Sequence, residues 1–486
     1  MLKTVGSLID SGWDSKSPEI IKNGITRGKE LIEKNKRVYS KKDLCKLSYF
    51  IGNGYMNLYS LSFSKEKGWQ QILNNINLQE AKNYFREAIH YSDDIPVDLK
   101  KMIWTNYANC LDTLGRGMDA LFAYEEVLKI DSNFSMALGN KAIAMKTFAD
   151  ASGIYREAIY NDAYKMLKSV QNKKDLILIG GIYAKYRIDT ELKNIESLIG
   201  KEALSKDFSH NSYDLSQLNA FERFYVEFCS NNKLFLNLHI HEDICEASTF
   251  DPVFIRLLLP PNDEKTFYNL AKTVNQIKED YAIARLLLVQ SQFKTAELNN
   301  ISLRTTFVNT PDNSISNIYT GLIKSAFKEA YNILDKIARF INEYFYLGIS
   351  PERNIYITSK ELWMDKISKK NWKLKLEVLE SNNPSLYALY DLSLDLNPQT
   401  GYYTNLRQMR NKLVHEKLII HGSGWSGIGD DHNISYEKMI LRTIRLLKIV
   451  KCAIIYLINS VNIEETKKQR KGIVLDPITV DTKQFL

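Results

Sequence analysis

The spacing Trp104-x3-Ala108-x2-Leu111-x3-Gly115-x4-Ala120-x3-Tyr124-x2-Val127 leaves few folds open to this chain. Two helical stripes flank one glycine, and each stripe mixes large residues with small ones. Small side chains at 108 and 120 let paired helices approach, and the large ones fill the neighbouring groove. Such a pair cannot bury its apolar face alone, so it needs copies of itself alongside. An earlier copy reads Ala81-x3-Phe85-x2-Ala88, after a first helix around Leu44–Leu61, and a later one begins at Leu138 with Ala142 and Met145. About three units are the minimum that encloses a continuous core. Ten Pro and 22 Gly in 486 residues are few, which favours helices over turn-rich β structure.

This is the spacing of a tetratricopeptide repeat, and residues 1–150 are expected to form such helical repeats, either holding a protein partner or supporting the rest of the chain. Residues 151–314 are less readable and are expected to continue as helical repeat or linker. Within them, Phe235–Glu242 alternates apolar and polar residues like a strand or a buried connector. A strand would put His239 and His241 on one face, and Asp243, Cys245 and Glu246 follow, which are the residue types of a metal site. No second ligand group stands at a recognised spacing, so structural histidines are the preferred reading and neither metal nor cofactor is expected. The five cysteines are scattered without a C-x-x-C pair, as befits reduced thiols in a cytosol. The N-terminus does not read as a signal peptide. The apolar run Cys452–Ile458 is far too short to span a membrane and reads as core helix.

Residues 315–465 read as a separate helical bundle, followed by a basic tail over 466–486. Its first helix is expected from Ser316 to Tyr346, with Glu329, Asp335 and Lys336 belonging either to the site or, by preference, to a salt-bridged surface. The stretch Pro351–Asn383 is expected to hold short helices, with Trp363 and Trp372 filling a small core or stacking bases. A helix over Pro384–Leu396 precedes the motif helix, expected from Tyr402 to Ile420 with Leu406, Met409, Leu413 and Ile420 on its apolar stripe. The glycine-rich loop His421–Asp430 lacks the ending of a phosphate-binding loop. The final helix, Ser435–Val461, is expected in the core. The motif is Arg410-Asn411-x3-His415, a spacing that chance alone places about once in four chains of this composition. His415 falls opposite the apolar stripe, with Asn411 one turn before it on the same face. Histidine takes and gives protons near neutrality, and arginine grips phosphate through two parallel hydrogen bonds. On a regular helix Arg410 lies about 140° around from His415, so one helix would aim the two apart and two copies across a dimer would bring them together. From Gly401 to Leu486 there are 14 Lys and Arg against 8 Asp and Glu, a surplus that favours phosphate polymers.

Arg410-Asn411-x3-His415, with Ala326–Ala338 as a long first helix upstream, resembles the Arg-x(4–6)-His signature of HEPN domains. The resemblance covers roughly residues 315–465. It implies a small helical bundle, and it implies metal-independent endoribonuclease activity of the kind found in toxin–antitoxin, CRISPR-associated and phage-defence systems, with a site commonly formed where two domains pair. Other members are not catalytic, so fold alone does not decide function. The expectation is thus a predominantly all-α protein, with tetratricopeptide-like helical repeats followed by a HEPN-type bundle. It would cleave RNA as a cytoplasmic homodimer, away from membranes, through His415 as general base or acid, Arg410 on the phosphate and Asn411 orienting the histidine. The alternatives are a non-catalytic interaction protein and, more weakly, a metal-dependent hydrolase around His239 and His241.

Overall fold

The computed structural model describes residues 2–35, 38–206, 213–239, 244–257, 264–308, 310–369, 371–422, 425 and 432–470. Helix accounts for 74% of the structure, and among the described residues strand is confined to two short pairs. The chain divides into two compact units: Met1–Phe208 with Asn382–Ala388, and Ser209–Ser381 with Leu389–Leu486.

The first unit is a run of helices: α1 (Leu2–Asp14), α2 (Pro18–Asn35), α3 (Lys41–Ser62), α4 (Ile76–His90), α5 (Val97–Thr113), α6 (Gly117–Ile130), α7 (Ser135–Phe148), α8 (Arg156–Val170) and α9 (Lys174–Ser205). Each packs against its neighbours in the chain, the mark of a helical repeat region. At the α5–α6 turn, Gly115 sits at φ +80°, a conformation that favours glycine. Its amide donates to the Asp112 carbonyl at 2.9 Å and that of Arg116 donates to Leu111 at 2.8 Å, which closes the end of α5 as a Schellman motif. Ala108, Leu111, Ala120, Tyr124 and Val127 are buried as their spacing requires. Trp104 is the exception. It is only half-buried, edge-on to Tyr107 at 6.2 Å, so this large residue covers the core rather than filling it. α9 is broken at Gly181 and Gly200, both with positive φ.

The second unit comprises α10 (Ala220–Asn231), α11 (Glu264–Gln292), α12 (Ala296–Ser302), α13 (Ile318–Tyr344), α14 (Lys360–Trp363), β1 (Met364–Lys366), β2 (Trp372–Leu374), α15 (Leu376–Ser381), the later part of α16 (Pro384–Asp395), α17 (Thr404–His415), β3 (Ile419–His421), β4 (Asn433–Ser435) and α18 (Tyr436–Arg470). Its core is the bundle of α11, α13 and α18, with α17 laid on α13. α18 is long and apolar enough to span a membrane, yet 89% of its apolar window is buried inside the protein, which identifies a core helix. α13 begins with a capping box: Asn317 Oδ1 accepts from the Thr320 amide at 2.9 Å, and Thr320 Oγ1 accepts from the Asn317 amide at 3.1 Å.

Two local expectations are corrected, and a third is decided between its alternatives. α17 ends at His415 and does not run to Ile420, because Ile419 and Ile420 enter β3, where the Ile419 amide donates to the His432 carbonyl and the Ile420 carbonyl accepts from the Ile315 amide. The 351–383 stretch holds an antiparallel hairpin, with Met364 opposite Leu374 and Lys366 opposite Trp372, beside short helices. The 235–239 segment is neither strand nor helix. It is held as a buried connector by Arg285 of α11, whose guanidinium donates to both Asp251 oxygens at 2.9 and 2.8 Å and to the Leu234 carbonyl at 3.1 Å. Residues 151–314 are shared between the two units, with α8 and α9 in the first and α10–α12 in the second. The basic tail lies outside the described residues beyond 470.

Candidate active site

α17 is set on the bundle by Leu406 and Met409, both buried. That fixes the rotation of the helix and leaves four side chains to account for: Arg407, Arg410, Asn411 and His415. Arg410 is half-buried and turned toward α13, where it acts electrostatically on Asp335 and Tyr331. Burial pushes the Asp335 carboxyl up to about 6, even though Arg410, Arg407 and Arg339 all pull it down. The Tyr331 hydroxyl is pushed up to about 12, chiefly by burial and secondarily by Asp335. One carboxylate therefore faces three guanidiniums.

The Arg410 guanidinium is incompletely satisfied. Its Nε is buried without a hydrogen-bond partner among the described residues, and its Nη1 reaches the neighbouring Asn411 Oδ1 only at a long 3.5 Å. An unmade hydrogen bond on a buried charged donor costs about 1–3 kcal/mol or more. Asn411 is half-buried beside it. His415 is the last residue of α17 and is exposed. Among the described residues no hydrogen bond joins it to Arg410 or Asn411. The structure thus gathers Arg410 and Asn411, and holds His415 apart on the same helix.

Several neighbours were not foreseen from the sequence. Lys336 does form an ion pair, with Asp280 of α11, but Asp335 faces the arginines instead of a surface lysine. Arg442 of α18 donates from Nη1 to Met409 Sδ at 3.0 Å, which brings a further guanidinium beside Arg410's own turn. Arg445, one turn on, lies over the Tyr402 and Tyr403 rings at 5.4 and 5.0 Å. Arg407 is held by Thr358 Oγ1 at 3.1 Å and lies 5.9 Å from the Tyr356 ring. The cue available in the sequence was the one-turn spacing of the pairs Arg407–Arg410 and Arg442–Arg445.

The other candidates stand elsewhere. His239 is buried with Nε2 at 3.6 Å from Cys245 Sγ, while His241 and Asp243 lie outside the described residues. Among the described residues no cluster of His, Cys, Asp or Glu is arranged to hold a metal. His421 is buried, with Nδ1 at 3.0 Å from the Asp312 carbonyl and Nε2 at 2.5 Å from Asn433 Oδ1. It supports β3 and β4, with Trp425 stacked on it at 4.4 Å. Most of the glycine-rich loop lies outside the described residues.

A HEPN-family domain is found at residues 261–464, the span that holds this bundle and α17. The family matched there is the LA2681-like HEPN. The match takes in α11, part of the region expected to be repeat or linker, and agrees with the packing of α11 along α13. It covers under half of the chain. No curated protein matches the sequence. A HEPN domain supports a general nuclease or RNA-related role.

Proposed function

We propose that the protein is a metal-independent endoribonuclease, a cytoplasmic homodimer that cleaves RNA in phage defence or as a toxin. The observation that carries this reading is the buried, unpartnered Nε of Arg410 within a group of cations on the helix that ends in exposed His415. A phosphate oxygen is the acceptor that such a donor fits. In the reaction, the ribose 2′-oxygen attacks phosphorus and gives its proton to His415, and the P–O5′ bond breaks. The leaving oxygen takes a proton from a second acid, for which the partner subunit's His415 is the candidate. Arg410 stabilises the charge that builds on the phosphate, and Asn411 orients the histidine. Pairing of two bundles answers the divergence of Arg410 and His415 on one helix. The helix pairs of the first unit, with their tetratricopeptide-like spacing, would hold a protein partner or sense a trigger.

A second reading is a non-catalytic interaction protein, favoured by that same divergence. Incubation of the purified protein with total RNA and a tRNA pool, with and without EDTA, separates the two. The ribonuclease reading expects cleavage that survives EDTA, with 5′-hydroxyl and 2′,3′-cyclic phosphate ends and no cut in DNA. No cleavage under either condition favours the scaffold. Cleavage abolished by EDTA, or products bearing 5′-phosphates, overturns the mechanism.

A further inference from the structure

We infer that two arginine–tyrosine platforms beside Arg410, Arg445 on Tyr402 and Arg407 on Tyr356, stack unpaired bases and make single-stranded RNA the preferred ligand of this face. The inference rests on the ribonuclease reading and names its substrate class.

Each platform takes one member from α17 or the residues just before it, and the other from α18 (Arg445) or the segment before α14 (Tyr356). Tyr402 and Tyr403 stand immediately before α17, Arg407 lies in its first turn, and Arg410 follows one turn later, at about 5 Å of rise per turn. Arg442, bonded to Met409 Sδ, ties the α18 end of the first platform to Arg410's turn. Arg445 lies 5.4 Å from the Tyr402 ring, and buried Tyr403 behind it fixes the guanidinium at 5.0 Å. Tyr402 itself is 48% exposed. Arg407 is positioned by Thr358 against Tyr356, which is 37% exposed. Each site therefore offers a fixed cation beside an aromatic ring that still meets solvent.

Charge points the same way. Arg407, Arg410, Arg442 and Arg445 make no ion pair among the described residues, whereas buried Arg116 and Arg285 elsewhere in the chain each hold a carboxylate. A group of guanidiniums that outnumbers its one facing carboxylate, Asp335, attracts a phosphate chain. A base stacks on tyrosine or on a guanidinium plane only if its own faces are free, which is so in a single strand and not in a duplex. An acidic protein surface would meet the same charges but has no use for the exposed rings.

The test uses full-length protein carrying His415→Ala and a fluorescent 2′-O-methyl oligonucleotide, so binding is read without any cleavage. A failure of the ribonuclease reading therefore leaves this measurement standing. The single strand is expected to bind at least ten-fold more tightly than its duplex, and 2-aminopurine within it should be quenched on binding. Tyr402→Ala with Tyr356→Ala should weaken single-strand binding about ten-fold or more, the range that base–aromatic stacking commands. Duplex binding should not change, and the Tyr→Phe pair should restore the parent behaviour. Thermal melts check that the variants fold, and a Tyr→Leu pair keeps an apolar side chain at both positions without a ring to stack on. Equal affinity for duplex and single strand, or Tyr→Ala and Tyr→Leu variants that bind like the parent, overturns the inference. So does a protein that binds polyglutamate and neither nucleic acid.

Discussion

Two regions handle charge in opposite ways: helices α5–α7 of the first unit and the surroundings of α17 in the second. In the first, Lys141 is fully buried and meets Glu125 at 2.5 Å, and buried Arg116 donates to both oxygens of Asp119. Each cation has its own carboxylate, and burial is tolerated because the pair is complete. Around α17 in the second unit, four arginines lack ion pairs among the described residues and the one carboxylate, Asp335, is shared. The two buried cations of the first unit, Lys141 and Arg116, are neutralised within the fold. Around α17 the guanidiniums outnumber the carboxylate they face, and the group surrounds the motif.

The comparison breaks first at the motif. His415→Ala should abolish RNA cleavage while changing stability by no more than about 0.5 kcal/mol, since the side chain is exposed. Arg410→Lys should keep the charge and still lose most of the activity, because an ammonium lacks the planar bidentate contact. A large drop in melting temperature with His415→Ala would make the residue structural. In the first unit the expected effects reverse. Glu125→Ala strands the buried Lys141 amine and should cost ~3–5 kcal/mol in denaturant unfolding, and unchanged stability would end the distinction between the two regions.

Two pH slopes sharpen it further. Lys451 of α18 is fully buried and donates to the Lys233 carbonyl at 3.2 Å. Burial pulls its amine from 10.5 down to about 7. Between those values the unfolded chain binds a proton that the folded one does not, so stability should rise with pH across that window. Lys451→Met should remove the slope and stabilise the protein most at and below pH 7. Asp335 runs the other way. Its folded carboxyl titrates near 6 against 3.8, so the folded chain holds the extra proton and stability should fall as pH climbs through that range. Asp335→Asn should flatten that fall in melts taken from pH 4 to 7. The smallest effect belongs to Trp104→Ala. A fully buried indole would cost ~3–5 kcal/mol, but a half-buried one should cost only ~1–2.

Local rules made much of this visible in the sequence. Gly115 could be placed at a turn because a positive φ and a fixed spacing demand it. Arg410, Asn411 and His415 could be proposed because a motif is a statement about neighbours in the chain. Asp335 stayed between site and surface, with surface preferred, since its meeting with Arg410 depends on how α13 and α17 pack. The end of α17 was missed for the same reason. Ile419 and Ile420 continue a helical apolar stripe well enough, and only their pairing with residues 432–434 and 315 turns them into strand. α11 showed its helical period, but not that its partner is α13.

The first unit is not continuous in the chain. Asn382–Ala388 belongs to it, with Asn382 Oδ1 accepting from the Trp69 amide at 2.8 Å and Leu386, Tyr387 and Ala388 buried. On a ribosome adding about 5–20 residues per second, the last piece of this unit emerges on the order of ten seconds or more after Phe208. The helices made first must wait, incomplete, while most of the nuclease-type domain is still being synthesised. A nascent chain halted before residue 382 would carry a repeat region with an unfilled seam, open to chaperones and proteases, and would release no finished α17. That order of synthesis keeps the motif helix among the last parts to appear.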